Sequence, residues 1–220
     1  MEAKTKVYIH TICPTRWTVR GEACAAIIDN HPYLMQLWEE TLDGKIDNET
    51  QAKIIGAQTT MKTFNFLFSC SLNKRILCQT DQLSKRLQGG VVTAAEGADL
   101  ATNIVAMMRA ERNDDSFQVF WEQLEERRVS LEIDEPTLPR GSIHANPEAH
   151  FRSVYMQAYD NKAECIVSRF DQQDFLTYKN IQDLFLKSVR GESYTSELQT
   201  VCEIYRDDIK QDEIYCKIDY

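Results

Sequence analysis

Apolar residues recur every three or four positions along most of residues 18–210, the period of helices that each bury one face. The spacing predicts a helix from Thr18, carried by Ala23, Ala26, Ile27, Leu34, Leu37 and Trp38, with Pro32 kinking or restarting it. After Asp43-Gly44 the longest predicted helix runs from about Thr50 to Gln88. Its apolar stripe is Ile54, Ala57, Met61, Phe64, Phe68, Leu72, Ile76, Leu83 and Leu87, and Gly89-Gly90 ends it. A helix over about Ala94–Arg112 follows, with Leu100, Ile104, Met107 and Met108 inward. The next begins near Asp114-Asp115-Ser116, where acids suit a helix N-terminus, and buries Phe117, Phe120, Trp121 and Leu124.

Residues 133–147 carry the breakers of a linker, and Asn146-Pro147 has the form of an N-cap with proline in the first helical position. Three further helices are predicted beyond it. One spans about 147–170 on Phe151, Tyr155, Ala158 and Ile166. A second spans about 175–190 on Ile181, Leu184 and Phe185, and is ended by Gly191. A third spans about 193–210 on Tyr194, Leu198, Val201 and Tyr205. Lys6-Val7-Tyr8-Ile9 is the single strand candidate. The expected fold class is therefore all-α, with about six to eight helices. One helical subdomain is expected over 18–132, a linker over 133–147 and a second subdomain with an acidic tail over 148–220.

Composition narrows the class only slightly. Of the 220 residues 43% are hydrophobic and 27% charged, the proportions of an ordinary globular protein. No apolar run reaches the 18 residues of a membrane-spanning helix, and the N-terminus does not read as a secretory signal. The seven cysteines include no CxxC pair, so free thiols in a reducing compartment are expected rather than a disulfide framework.

The net charge of -9 argues against general coating of nucleic acid, but the charge is uneven. Lys53, Lys62, Lys74, Arg75, Lys85 and Arg86 stand against Asp81 alone in residues 51–90. The acids collect in residues 191–220. A polyanion therefore remains a candidate partner for the middle of the chain.

Catalytic motifs are lacking: there is no GxSxG, Walker loop, HExxH or GxGxxG. Asp114-Asp115 and Asp207-Asp208 are acidic pairs. Neighbours on a helix point about 100° apart, so either pair alone makes a poor magnesium site. His10, Cys13 and Cys24 fall short of the four ligands of a structural zinc site. His144 and His150 read as surface histidines. No cofactor and no metal site is expected. The basic pairs Lys74-Arg75 and Lys85-Arg86 are more informative. They stand eleven residues apart, close to three helical turns, so an unbroken helix would carry them on one side, as phosphate contacts require. A lysine-rich solvent face is the plainer explanation of the same residues.

Cys13-Pro14-Thr15-Arg16-Trp17 resembles the C-x-T-R-W motif of hAT-superfamily transposases, in the branch that includes zinc-finger MYM-type and THAP-domain host proteins. The likeness continues through Ala25-Ala26-Ile27-Ile28-Asp29-Asn30, Leu37-Trp38-Glu39-Glu40, Lys62-Thr63-Phe64-Asn65-Phe66 and Leu83-Ser84-Lys85-Arg86-Leu87-Gln88. It goes on through Arg112-Asn113-Asp114-Asp115-Ser116-Phe117, Phe120-Trp121 and Pro136-x-Leu138-Pro139-Arg140, then His150-Phe151-Arg152 and Arg169-Phe170-Asp171-Gln172. It extends from about residue 7 to 210.

The resemblance implies a helical domain inserted in a ribonuclease-H-like fold, with residues 1–17 as a remnant edge of that fold. In the family, two catalytic aspartates lie before the R-W motif and a glutamate follows on a later helix near a dimerisation region. No catalytic residue is therefore expected in this chain, and no DNA-binding zinc-finger or THAP module. The family's linker often continues into basic residues, whereas Arg140 is followed here by Gly141-Ser142-Ile143-His144.

Two functions follow as expectations. One is a nuclear, nucleic-acid-associated protein with no chemistry of its own, contacting DNA through Arg16, Trp17, Lys74, Arg75, Lys85 and Arg86. The other is a helical module that binds protein or itself; a degenerate transposon fragment without activity belongs beside it. No membrane partner is expected. In the family the tryptophan matching Trp17 is implicated in handling a DNA hairpin, where an indole can stack on an unpaired base. The alternative is that Trp17 pins the helical domain to the sheet edge.

Overall fold

The computed structural model describes residues 20–89 and 92–206. Among these residues the chain is all-helical, with nine helices and no strand. The candidate strand at 6–9, the R-W motif and the end of the acidic tail lie outside the described residues.

The predicted helix from Thr18 to Trp38 is two helices, α1 (Arg20–Asp29) and α2 (His31–Leu42), with Pro32 in the first turn of α2 where its missing N–H costs nothing. The single helix expected over 50–88 is likewise two, α3 (Asn48–Met61) and α4 (Phe64–Gln88). The break has a local cause. Thr63 leaves the helical region and its hydroxyl accepts from the Phe66 N–H, capping α4, while Asp47 caps α3 through the Thr50 N–H. Met61 and Phe64 keep helical spacing across the corner, which hides the break from any count of apolar period.

Three of the remaining helices start at side-chain caps. Helix α5 (Ala94–Glu111) opens with a capping box between Thr93 and Glu96, α6 (Asp114–Ser130) with Asn113, and α7 (Pro147–Phe170) with Asn146 ahead of Pro147. Helix α8 (Gln173–Arg190) ends at Gly191, whose φ of 67° is the left-handed conformation that glycine adopts at no steric cost. Helix α9 (Thr195–Ile204) folds back on it.

The main core joins α1 and α4–α7, drawing on both sides of the 133–147 segment. Its centre is aromatic. Phe151 of α7 stands 4.9 Å from Phe64 and 4.6 Å from Phe68 between ring centroids. Phe120 of α6 meets Phe68 at 5.7 Å, and Phe117 meets Tyr155 at 5.5 Å. Several of these contacts are edge-on or tilted, geometries worth about 0.5–1.5 kcal/mol per pair beyond burial itself. A second, small cluster of Leu184, Leu198, Val201 and Cys202 holds α8 to α9. Lys187 adds an ion pair to Glu197 across that hairpin, and Gln182 accepts from the Ala94 N–H to tie α8 to α5.

Helices α2 and α3 stand apart from both clusters. The His31 Nε2 donates to the Met61 carbonyl at 3.2 Å, fixing the start of α2 to the end of α3. Burial, and then the nearby Lys62 charge, hold the imidazole pKa below its ordinary value against the raising effect of that bond. The expected inward faces are only partly inward. Leu37, Met107, Phe185 and Leu87 are exposed, and in α1 Ile28, rather than Ile27, enters the core. Leu87 still packs on α5: a Cβ on Gly97 would come within 2.9 Å of its Cδ2.

Candidate nucleic-acid interface

Helix α4 runs unbroken through both basic pairs, so Lys74 and Lys85 fall about 20° apart round its axis, and Arg75 and Arg86 take a second line about 100° away. The four cations thus occupy two adjacent lines rather than one, and their surroundings differ.

Lys74 opens onto a groove of about 450 Å³ between α1, α4 and α6. Its floor is Ile28, Phe120 and Leu124, and its rim is Ser71, Lys74, Arg75, Cys78, Gln123 and Arg127. Lys74 is half-buried and makes no ion pair with any described residue. Arg75, by contrast, is engaged. It pairs with Glu111 at the end of α5, and its guanidinium carbon lies 5.9 Å from the centre of the Phe120 ring. Burial works against the Arg75 charge, but the hydrogen bond to Glu111, with Tyr155 and Tyr159 nearby, leaves its pKa above the ordinary value. Arg127 pairs with Asp29 of α1, closing the far side of the groove.

At the other pair, Lys85 lies 3.4 Å from Glu22, both side chains being more than half exposed. Such a pair is worth about 0–1 kcal/mol and gives way readily to a stronger anion. Arg86 is exposed. Both also lie in the last turn of α4, where cations complement the helix dipole without any ligand. Arg16 and Trp17 lie outside the described residues.

Inspection of the sequence missed Arg127, Gln123 and Ser71. Arg127 follows Gln123 by one helical turn on α6, but only the packing of α6 against α4 brings either to Lys74. It also missed Asp81, a buried carboxylate on α4. Burial raises its pKa first, partly offset by the Lys85 charge, and a Cβ on Gly21 would come within 3.3 Å of its Oδ2.

Several remaining acids face arginines. Asp114 pairs with Arg152 and Asp160 with Arg112, at the rim of a polar hollow that His144 also lines. The His144 and His150 rings stand 5.4 Å apart. Among the described residues no three His, Cys, Asp or Glu side chains converge as metal ligands, and no helix is long and apolar enough to cross a membrane.

Comparison of the chain with models of known protein families finds no match, and neither curated proteins nor solved structures provide one.

Proposed function

We propose that this chain is a non-catalytic helical domain of hAT-transposase descent, acting in the nucleus, that associates with nucleic acid through the face bearing Lys74, Lys85 and Arg86. The observation that carries the reading is the groove between α1, α4 and α6. There Lys74, which forms no ion pair with a described residue, stands over an apolar floor, and Arg127 faces it from α6. A cation above an apolar floor suits a ligand with a phosphate and a flat, poorly hydrated base. Lys85 and Arg86, three turns further along α4, extend the positive charge in the direction a nucleic-acid strand would follow.

The ordered series of motifs from Cys13 to Gln172 supports the descent. No phosphoryl chemistry is part of the proposal. Two-metal cleavage needs carboxylates that converge on ions about 4 Å apart, whereas Asp29, Asp114 and Asp160 are each held by an arginine.

The test is a shift assay on the full chain against duplex and hairpin DNA over a range of salt. Binding should weaken linearly in log salt. Lys74→Gln, Lys85→Gln and Arg86→Gln should each flatten the slope by about 1. Arg75 is left intact, because removing it would strand Glu111 and confuse a loss of binding with a loss of structure. No binding at low salt, or an unchanged slope in the triple variant, overturns the proposal.

A second reading, a helical module that binds protein, is favoured by one observation. Tyr178, Phe185 and Val189 form an apolar line along α8 and are 56%, 61% and 87% exposed. Phe185→Ser combined with Val189→Ser would abolish such binding and leave DNA binding unchanged.

A further inference from the structure

A hollow of about 360 Å³ lies where α5, α7 and α8 meet, and shares no lining residue with the groove at Lys74. Its floor is Ala101 and Val105 of α5 with Ile166 of α7, all buried. Phe170 at the end of α7 and Phe175 at the start of α8 form a wall, their rings 4.8 Å apart and edge-on. Both are only half-buried, and Leu176 beside them is 39% exposed. Apolar side chains from three helices thus face a space that no described residue fills.

The charged groups of the lining fall at its two ends. Gln182 accepts from the Ala94 N–H, so Lys179, one turn earlier on α8, stands toward the start of α5. Phe170 reaches the same end, since a Cβ on Gly97 would lie 4.0 Å from its Cε1, and Asp171 follows it. Lys179 and Asp171 therefore bring opposite charges to one end. Arg109, in the last turn of α5, stands at the other. Ala98 and Arg109 both line the hollow, and the eleven residues between their positions make about 16 Å of helix. In that stretch of α5 the one polar side chain is Thr102, whose hydroxyl already donates to the Ala98 carbonyl at 2.9 Å.

Arg109 is exposed and makes no ion pair with any described residue. Glu164 shares a neighbouring hollow with Arg109 without pairing to it, and Arg112 there is held by Asp160. The arrangement is a cation, an apolar stretch with no free donor, and a compensated pair of charges. A helix with its side chains is about 10–12 Å across and would lie over the mouth rather than enter. Small-molecule sites, by contrast, occupy about 300–1,000 Å³, with apolar walls and a few placed polar groups.

We propose that this hollow binds a linear aliphatic carboxylate, such as a medium-chain fatty acid, with its carboxylate on Arg109 and its chain laid along Ala101, Val105 and Ile166 toward Phe170 and Phe175.

The planar guanidinium offers a carboxylate two parallel hydrogen bonds. Because Arg109 is exposed, the bound carboxylate stays at the mouth in contact with water, and only the chain is desolvated. Each methylene that leaves water then adds its own increment of affinity, until the chain meets the aromatic wall. The site does not rest on the nucleic-acid reading, and its test uses no DNA.

The experiment is a calorimetric titration of the full chain with decanoate below its micelle concentration, beside decanol and decylamine. Decanoate should bind one to one. Decanol should bind about tenfold more weakly, as for the loss of a charge-assisted hydrogen bond, and decylamine more weakly still. Octanoate, two methylenes shorter, should bind about tenfold more weakly than decanoate. Arg109→Gln should weaken decanoate about tenfold and leave decanol unchanged. Lys179→Gln should change decanoate binding by less than about threefold, because Asp171 shares its end of the hollow. Ala106→Phe, at an exposed position of the lining, should abolish binding of decanoate and decanol with the helical circular dichroism unchanged. No saturable binding of decanoate, equal binding of decanol, affinity independent of chain length, or binding that survives Ala106→Phe overturns the proposal. So does a larger loss in Lys179→Gln than in Arg109→Gln.

Discussion

The aromatic centre of α4, α6 and α7 and the hairpin of α8 and α9 are built from helices of similar quality and end up very different. Both regions show the expected periodicity and close with ordinary turns. In the first, Phe64, Phe68, Phe117, Phe120, Trp121, Phe151 and Tyr155 meet one another from three helices. In the second, four buried residues hold two helices together while Phe185 and Val189 face outward. Local signals make a helix in either place. What differs is how many other helices cover it, and most helical stability in a protein comes from that cover rather than from propensity.

The comparison is most severely tested at Phe68, which is 2% exposed and touches Phe120 and Phe151. Phe68→Ala should cost about 3–5 kcal/mol, read by denaturant unfolding, and should destabilise the whole chain. A loss under about 1 kcal/mol would mean that the aromatic cluster is not the core.

A smaller and local effect is expected at Leu198, which is fully buried in the α8–α9 cluster. Leu198→Ala should cost about 2–3 kcal/mol. Amide exchange should quicken in α8 and α9 while protection in α4, α6 and α7 persists. Equal loss of protection throughout would show the two regions to be one cooperative unit.

The smallest effect belongs to Phe185. Phe185→Ser should change stability by no more than about 0.5 kcal/mol, because the side chain leaves no cavity behind. A loss of 2 kcal/mol or more would show that this face is covered in solution.

What was legible in the sequence follows the same division. The stripe Phe117, Phe120, Trp121, Leu124 and the start at Asn146-Pro147 were read correctly because each depends on residues within one or two turns. The corner at Lys62-Thr63 was not, because Met61, Phe64 and Phe68 stay in period straight through it. Its only local sign is a threonine suited to a cap. The exposure of Leu37 and Phe185 was also hidden, since periodicity tells which face is apolar but not whether another helix lies against it. At the candidate interface the sequence placed Lys74 and Arg75 side by side as equals. The fold separates them, because Glu111 lies 36 residues beyond Arg75 and claims it.

The 133–147 segment is anchored at both ends: Ile133 is buried, the Asp134 N–H donates to the Lys62 carbonyl at 3.0 Å, and Asn146 caps α7. Between these anchors most of the chain is exposed, and Ile143 is 95% so. Chain statistics then set what this connection tolerates. The entropy of closing a flexible loop grows only with the logarithm of its length, so doubling it costs about 0.6 kcal/mol. Residues could be added within 137–145 at little cost to the aromatic centre that the loop bridges. The length of this exposed segment is therefore only weakly constrained by the fold.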